Sequence, residues 1–206
     1  MGLKVIEHPL SKHILTELRD ARTEPARFRG LARQLTTILA IEATRDLGLK
    51  PTSVRTPLES CEGFALAKSL VIVPILRAGL AMVEPIVQLF SDVAVGYIGL
   101  ERDERTAVAR NYYCKLPPLA GRKTLLLDPM LATGGSAEQA IAALYEHGAD
   151  DVSKICVVAA PQGVSRVLDR FPNIDVYTAS LDRDLNDLKY ILPGLGDFGD
   201  RLYGTQ

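Results

Sequence analysis

The hydrophobic positions of the N-terminal part of the chain recur at helical spacing. Over 28–47, apolar side chains return every three or four residues, which is typical of an amphipathic helix. Gly48 and Pro51 are helix breakers and predict where this helix ends. The sequence therefore predicts an N-terminal helical segment over about 10–50. Its wide apolar face is expected to pack against a core or a second subunit.

After residue 65 the pattern changes to short apolar runs that alternate with helical patterns. The runs are nearly continuous and contain many β-branched residues, which favours strands buried on both faces of a sheet. Five such runs are present: Leu70–Ile75, Val93–Ile98, Lys123–Leu127, Ile155–Ala160 and Ile174–Ala179. Helical patterns over 137–144 and 164–171 lie between some of them. This alternation predicts an α/β fold with an open, mostly parallel sheet flanked by helices.

Residues 99–118 interrupt the alternation. They begin with a charged stretch and end in aromatic and proline residues, which predicts a protruding β-arm or flap that is strand-like at both ends. A solvated surface hairpin is the plain structural alternative. No internal repeat or low-complexity segment is present, so the 206 residues are expected to form a single domain over 1–206.

Composition excludes several classes of protein. The net charge of −1 lacks the basic excess of a dedicated nucleic-acid binder, so we expect no nucleic-acid partner. Cys61, Cys114 and Cys156 are scattered, which argues against a disulfide framework and favours reduced thiols. The three histidines form no metal-ligand pattern. No apolar run has the length of a signal peptide or a membrane-spanning helix, so we expect a cytoplasmic protein without a membrane partner.

Candidate chemistry begins at the end of the apolar run 123–127. Asp128 follows, and a loop then leads to Thr133-Gly134-Gly135-Ser136 and a helical pattern. The free N–H groups and the dipole of a helix N-terminus favour an anion, and glycines allow the backbone to approach it. Ser136 and Gln139 form a capping-box pattern that predicts Ser136 as the N-cap. The Gly-Lys-Ser/Thr element of nucleoside triphosphate loops is missing, so the loop is not a P-loop. The Asp128 carboxylate would repel phosphate but can accept hydrogen bonds from ribose hydroxyls, so the loop is expected to hold a sugar phosphate.

This pattern resembles the 5-phosphoribosyl 1-diphosphate (PRPP) loop of type I phosphoribosyltransferases. That family has two adjacent acidic residues here, whereas the Asp128-Pro129 step is similar to the uracil-specific branch. Further resemblance lies in Leu18-Arg19-Asp20, in 112–117 and in Gly204-Thr205, so it covers most of the chain. It implies the type I phosphoribosyltransferase fold and a homodimer or higher homo-oligomer.

The C-terminal stretch Gly194–Gly199 matches the expression G-x-G-x-x-G. Only Asp200 to Gln206 follow it, which leaves no room for a βαβ unit and excludes dinucleotide binding. The segment over about 185–206 instead resembles the uracil-binding part of uracil phosphoribosyltransferases. Backbone groups of a glycine-rich loop can match the edge of uracil and reject cytosine. The resemblance implies uracil contacts at Ile191, Gly196, Asp197 and Phe198, although the family has a small residue in place of Phe198.

The same resemblance implies the rest of the site. Arg77 and Arg102 are the expected diphosphate ligands, because a guanidinium group can clamp phosphate in bidentate fashion. A non-proline cis peptide is expected near Ala78-Gly79. The implied catalytic residues are Asp128, Asp197 and Arg77. The residues implied to hold PRPP are Arg77, Arg102, Asp128, Pro129, Met130, Leu131, Ala132, Thr133, Gly134, Gly135, Ser136 and Asp197.

The implied activity is transfer of the phosphoribosyl group of PRPP to N1 of uracil, which gives UMP and diphosphate. Asp128 would bind ribose hydroxyls, and Asp197 would either orient the metal-bound diphosphate through water or assist deprotonation of N1. Mg²⁺ is the implied cofactor, held by diphosphate and water rather than by direct protein ligands. GTP activates some relatives and is a candidate activator here. A phosphoribosyltransferase for another base and a non-catalytic regulator that binds nucleotide or RNA are the alternatives.

Overall fold

The computed structural model describes residues 2–102 and 109–205, and for residues 101, 102 and 109–111 it describes only the backbone. None of the described helices is long and apolar enough to cross a membrane. The helices are α1 (Pro9–Arg19), α2 (Pro25–Ala43), α3 (Val83–Leu89), α4 (Gly135–Glu146), α5 (Pro161–Arg170) and α6 (Phe198–Tyr203), and a 3-10 helix (Ala78–Met82) precedes α3.

The strands contain the five predicted apolar runs and several shorter segments. They are β1 (Gly2–Val5), β2 (Leu49–Arg55), β3 (Ser60–Leu66), β4 (Leu70–Leu76), β5 (Ala94–Val95), β6 (Tyr97–Arg102), β7 (Ala109–Lys115), β8 (Lys123–Leu127), β9 (Met130–Leu131), β10 (Asp151–Ala159), β11 (Asp175–Leu181), β12 (Asp184–Leu185) and β13 (Ile191–Leu192). The main sheet has the order β1-β11-β10-β8-β4-β6-β7, while β5 pairs with β4 and β9 with β10. Its strands are parallel except for β7, which confirms the predicted fold class.

The central strands are buried on both faces. Side chains of a strand alternate between the two faces, so Ile72 packs into the core under α1, α2 and α3, while Val71 packs under α4 and α5. Leu125 and Leu126 on β8 divide in the same way. Both faces of the strands must therefore be apolar, which explains why the sequence shows continuous apolar runs instead of alternation.

The N-terminal segment differs from its prediction. Helix α2 ends at Ala43 rather than near Gly48. At this observed end, the Thr44 hydroxyl donates to the carbonyl of Ala40. The chain then forms the antiparallel hairpin β2–β3, which the helical prediction missed. Every residue of β2 is exposed. A strand without a buried face has no alternating apolar pattern, so it leaves no signal for a prediction based on hydrophobic period.

The segment predicted as a β-arm contains two antiparallel strands at its ends. Strand β6 pairs with β7, with an irregularity between Gly99 and Leu100, so the strand-like ends are confirmed. Residues 103–108, between these strands, lie outside the described residues. The predicted run Val93–Ile98 is divided at Gly96 into β5 and the start of β6, which both pair with β4 in the same register.

The sheet reverses its strand order beside β4. The chain passes from β4 to β6 on one side and later enters β8 on the other side. Ligands of open parallel sheets bind where the order reverses, outside the carboxyl ends of the strands. Arg77 follows β4 and Asp128 follows β8, so the topology brings these two residues to the same sheet edge.

Truncation of Leu125 tests the central position of β8. Leu125→Ala removes fully buried atoms and is expected to lower the free energy of unfolding by about 2–5 kcal/mol. Urea denaturation measures this change. Leu58→Ala is the control, because Leu58 is 90% exposed, and its effect should stay within about 0.5 kcal/mol. Equal stability of the two variants would contradict the packing described for β8.

Candidate active site

A cleft of about 240 Å³ opens between the loop that follows β8 and the C-terminal segment. Most of the residues predicted for sugar phosphate and for uracil line it. They are Asp128, Met130, Leu131, Ala132, Thr133, Gly134, Gly135, Ser136, Ile191, Gly196, Asp197 and Phe198. Pro129 is buried beneath the loop, where its carbonyl accepts from the N–H groups of Val157 and Val158. The fold thus places two distant segments of the chain on opposite walls of one cleft.

A second cavity continues the cleft toward β4. Arg77 lines it together with Leu76, Leu100, Tyr112 and Tyr203, while Ala78, Asp197 and Gly199 line both cavities. The exposed Arg77 guanidinium therefore belongs to the same depression as Asp197. The non-proline cis peptide lies at Leu76-Arg77, close to its expected place. Arg102 ends β6, but its side chain lies outside the described residues.

The start of α4 forms the anion-binding geometry. Gly134 has φ of +81°, and a Cβ atom there would lie 2.9 Å from the carbonyl oxygen of Gly163, so this position requires glycine. The first helical bond runs from the N–H of Glu138 to the carbonyl of Gly134. The N–H groups of residues 135–137 consequently have no helical acceptor and can bind an anion. Gly134 is the N-cap, so the prediction of Ser136 as N-cap was wrong; the left-handed Gly134 starts the helix earlier.

The loop rests on the N-terminus of α5. A Cβ atom on Gly163 would lie 2.4 Å from the carbonyl oxygen of Ala132, so only glycine permits this approach. The N–H of Ala160 donates to the carbonyl of Leu131 at 2.8 Å. An ion pair between Arg166 and Glu138 joins α5 to α4 beside the loop. These contacts hold the loop against β10 and α5, so its main-chain groups keep a defined orientation.

A buried ion pair anchors the C-terminal segment. Arg19 at the end of α1 donates to both carboxylate oxygens of Asp182, at 2.8 and 2.6 Å, and to the carbonyl of Gly194 at 2.8 Å. Asp182 in turn accepts from the N–H of Gly194 at 2.9 Å. Burial opposes ionisation of this carboxyl, but hydrogen bonds from Arg19 and Ser180 hold the pKa of Asp182 below its ordinary value.

Comparisons with known proteins show the family to which a chain with this cleft belongs. The sequence model of the family described as uracil phosphoribosyltransferase matches residues 5–205. The chain belongs to the uracil phosphoribosyltransferase family.

Individual relatives support this membership over the whole chain. The uracil phosphoribosyltransferase of Finegoldia magna is 48% identical over 204 residues, covering 98% of each chain. That of Thermus thermophilus is 48% identical over 208 residues and covers 100% of both chains. The solved structure of the AQ2163 protein from Aquifex aeolicus has a TM-score of 0.95 at 37% identity and covers 99% of each chain.

A more distant structure supports the fold alone. A hypoxanthine-guanine phosphoribosyltransferase from Bacillus anthracis has a TM-score of 0.53 at 11% identity, and the match covers 77% of this chain and 80% of the other. The shared architecture confirms the expected type I phosphoribosyltransferase fold. Because a fold hosts several activities, the choice of base must come from the family match and the cleft rather than from this likeness.

In this uracil phosphoribosyltransferase chain, the large Phe198 side chain packs into the core. It is 2% exposed, and its ring lies edge-on against Phe28 of α2, with ring centroids 5.1 Å apart. The Arg201 guanidinium lies over the Phe28 ring, 4.5 Å from its centroid, and donates to the carbonyls of Leu18 and Leu195. Phe198 therefore contributes to the attachment of the C-terminal segment to α2.

Lys189 and Tyr190 also line the cleft. They lie in the segment predicted over about 185–206, but no individual role was predicted for either of them from the sequence. A tight turn places them there, because the Asn186 side chain accepts from the Tyr190 N–H and its carbonyl accepts from the Lys189 N–H. Lys189 has φ of +67°. It is the one non-glycine residue with positive φ among residues 2–102 and 109–205. A left-handed lysine has no signature in the hydrophobic pattern.

The anchor at Asp182 should give a specific pH dependence. A carboxyl whose pKa is depressed on folding stabilises the fold fully above its ordinary value of 3.8, and this stabilisation is lost as pH falls through the lower folded value. Asp182→Asn should cost about 1–3 kcal/mol at pH 7, because Arg19 loses its charged partner. The difference from wild type should shrink below pH 3.8.

Thermal unfolding of both proteins between pH 7 and acid conditions measures this difference. Asp187→Asn is the matched control, since Asp187 is exposed in the same region. A destabilisation by Asp182→Asn that stayed constant down to the lowest pH would show that the carboxylate charge does not anchor the segment.

Proposed function

We propose that this chain uses the two-part cleft to transfer the phosphoribosyl group of PRPP to N1 of uracil, giving UMP and diphosphate. One observation carries the proposal: a helix N-terminus suited to a phosphate and a glycine-rich segment suited to a base line the same cleft, in a member of this family. The match to uracil phosphoribosyltransferases favours uracil over another base and catalysis over a purely regulatory role.

The 5′-phosphate is assigned to the start of α4. The free N–H groups of residues 135–137 and the helix dipole attract a dianion, and the hydroxyls of Thr133 and Ser136 can donate further hydrogen bonds. Asp128 lies at the opposite end of the loop, where a carboxylate would repel phosphate but can accept hydrogen bonds from ribose hydroxyls. In this proposal, C1′ of the sugar would face Asp197 and the second cavity.

The diphosphate is assigned to the second cavity. Negative charge develops on the leaving diphosphate as its bond to C1′ breaks, and the Arg77 guanidinium can stabilise it. Arg102 is proposed for the same task from the resemblance. Holding both reactants in one cleft lowers the entropic cost of their reaction, and exclusion of water limits hydrolysis of PRPP.

Mg²⁺ is proposed as the cofactor. Among the residues that the structure describes, no group of three His, Cys, Asp or Glu side chains could hold a metal ion. The exposed Asp197, where the two cavities meet, suits a metal ion held by diphosphate and water. When bound, Mg²⁺ would neutralise part of the diphosphate charge.

Asp197 has a structural as well as a proposed chemical role. Its Oδ1 atom accepts from the N–H of Asp200 at 2.9 Å and caps α6, which restricts the orientation of the carboxylate. A carboxylate at this junction suits either orientation of the metal-bound diphosphate or removal of the N1 proton of uracil. Both roles require the cap to hold the side chain at the cleft.

Homo-oligomer formation, activation by GTP and a cytoplasmic location complete the proposal. Exposed apolar side chains on the hairpin β2–β3, such as Leu49 and Phe64, support an oligomer, because a second subunit would remove them from water. The three cysteines form no disulfide, which supports a reducing environment.

An assay with different bases tests the reaction. Purified protein with PRPP and Mg²⁺ should form the nucleotide from uracil at least about 100-fold more efficiently than from cytosine, orotate, hypoxanthine or adenine, because mismatched bases leave buried polar groups unpaired. Chromatography of the products measures each rate. Absence of UMP with uracil, or preference for another base, would contradict the assignment.

Substitution of Arg77 tests the diphosphate assignment. Arg77→Ala should lower kcat/KM for PRPP by about 100-fold or more, since loss of a charged donor to the transition state costs roughly 3 kcal/mol. The KM for uracil should change little. Arg170→Ala is the control, because this residue lies at the far end of α5. Full turnover by Arg77→Ala would remove Arg77 from the site.

A further inference from the structure

A charged side chain lies in the core directly beneath the phosphate loop. Lys154 is fully buried in β10, and its Nζ atom donates to the carbonyl of Asp128 at 2.8 Å and to that of Ile155 at 3.0 Å. We propose that Lys154 is a positioning residue for PRPP, which fixes the main chain of Asp128 at the start of the loop. This inference rests on the proposed assignment of Asp128 to the ribose.

The hydrogen bond from Lys154 to the carbonyl of Asp128 replaces a main-chain bond that regular pairing of β8 with β10 would have given. Strand β10 pairs in the same register with β8 and with β9, so Asp128 lies opposite Cys156. In a parallel ladder its carbonyl would accept from the N–H of Val157. That N–H instead donates to the carbonyl of Pro129 at 2.8 Å. The loop therefore leaves the ladder at Asp128, and the lysine ammonium satisfies the displaced carbonyl.

The buried charge is costly, which points to a use beyond packing. Burial lowers the pKa of Lys154, while the negative charge of Asp128 opposes this effect. An apolar side chain of the same length would avoid the desolvation cost. The ammonium instead lies near the Asp128 carboxylate, beneath a loop that is proposed to hold an anion. In an environment of low dielectric constant, a cation there holds the Asp128 carboxylate as well as its carbonyl, so both groups of the residue proposed to bind the ribose are oriented.

Replacement of the ammonium should therefore weaken PRPP binding selectively. Lys154→Met keeps the linear side chain but removes the donor and the charge. We expect the Kd for PRPP with Mg²⁺, measured by calorimetry, to rise about 10-fold, as for loss of a charged hydrogen bond. The KM for uracil should remain within about twofold, because the hydrogen bonds of Lys154 go to the carbonyls of Asp128 and Ile155, which are outside the C-terminal segment.

Ser153→Ala is the matched control on the same strand. Ser153 is buried and its hydroxyl makes no hydrogen bond to any residue that the structure describes, so its removal should leave both constants unchanged. An unchanged Kd for PRPP in Lys154→Met would overturn the proposal. So would equal weakening of PRPP and uracil together with a lowered melting temperature, because that result indicates general loss of structure.

A second variant decides the question if Lys154→Met does not fold. Lys154→Gln keeps a neutral donor, but its shorter side chain cannot reach the carbonyls of both Asp128 and Ile155. A Kd for PRPP equal to that of wild type in this variant would overturn the proposal. Asp128→Ala separates this failure from failure of the ribose assignment. If Asp128→Ala binds PRPP with the Kd of wild type, the assignment of Asp128 to the ribose is wrong. If Asp128→Ala raises the Kd for PRPP and the Lys154 variant does not, only the role of Lys154 is wrong.

Discussion

The parallel pairing of β8 with β4 and β10 is the interaction on which the site depends. It brings the carboxyl ends of β4 and β8 together, so Arg77 and Asp128 reach one edge of the sheet. It also aligns β10 under the loop, where its N–H groups and the Lys154 ammonium satisfy the carbonyls of Pro129 and Asp128. Burial on both faces stabilises this pairing. The loop therefore stays in place although it departs from the hydrogen-bond ladder at Asp128.

The base half of the cleft depends on polar anchors rather than on sheet pairing. Arg19 and Asp182 bind the main chain of Gly194, and Arg201 binds the carbonyls of Leu18 and Leu195. These charges are half-buried or buried, and each is satisfied by several partners, which offsets the cost of removing them from water. The segment proposed to bind uracil is consequently attached to α1, far away in the sequence, and a change at α1 would alter the position of the base.

The pattern of the sequence was sufficient for the alternating part of the fold. A buried strand such as β8 appears in the sequence as a continuous apolar run, and an amphipathic helix such as α4 appears as apolar residues at helical spacing. The hairpin β2–β3 and the edge strand β1 have no continuous buried face, so the same method could not find them. The start of α4 was misplaced because the positive φ of Gly134 depends on contact with Gly163, which lies on a different helix.

The sequence by itself determined the class of fold, the loop that is proposed to hold a phosphate and the resemblance of the C-terminal segment, because each depends on neighbouring residues and their local chemistry. Only the tertiary structure decided that these segments face each other and that Phe198 turns into the core against Phe28. It also decided that Lys154, which directly precedes the apolar run Ile155–Ala160, bonds the carbonyl of Asp128. These outcomes depend on contacts between residues distant along the chain, and the hydrophobic period carries no information about such contacts.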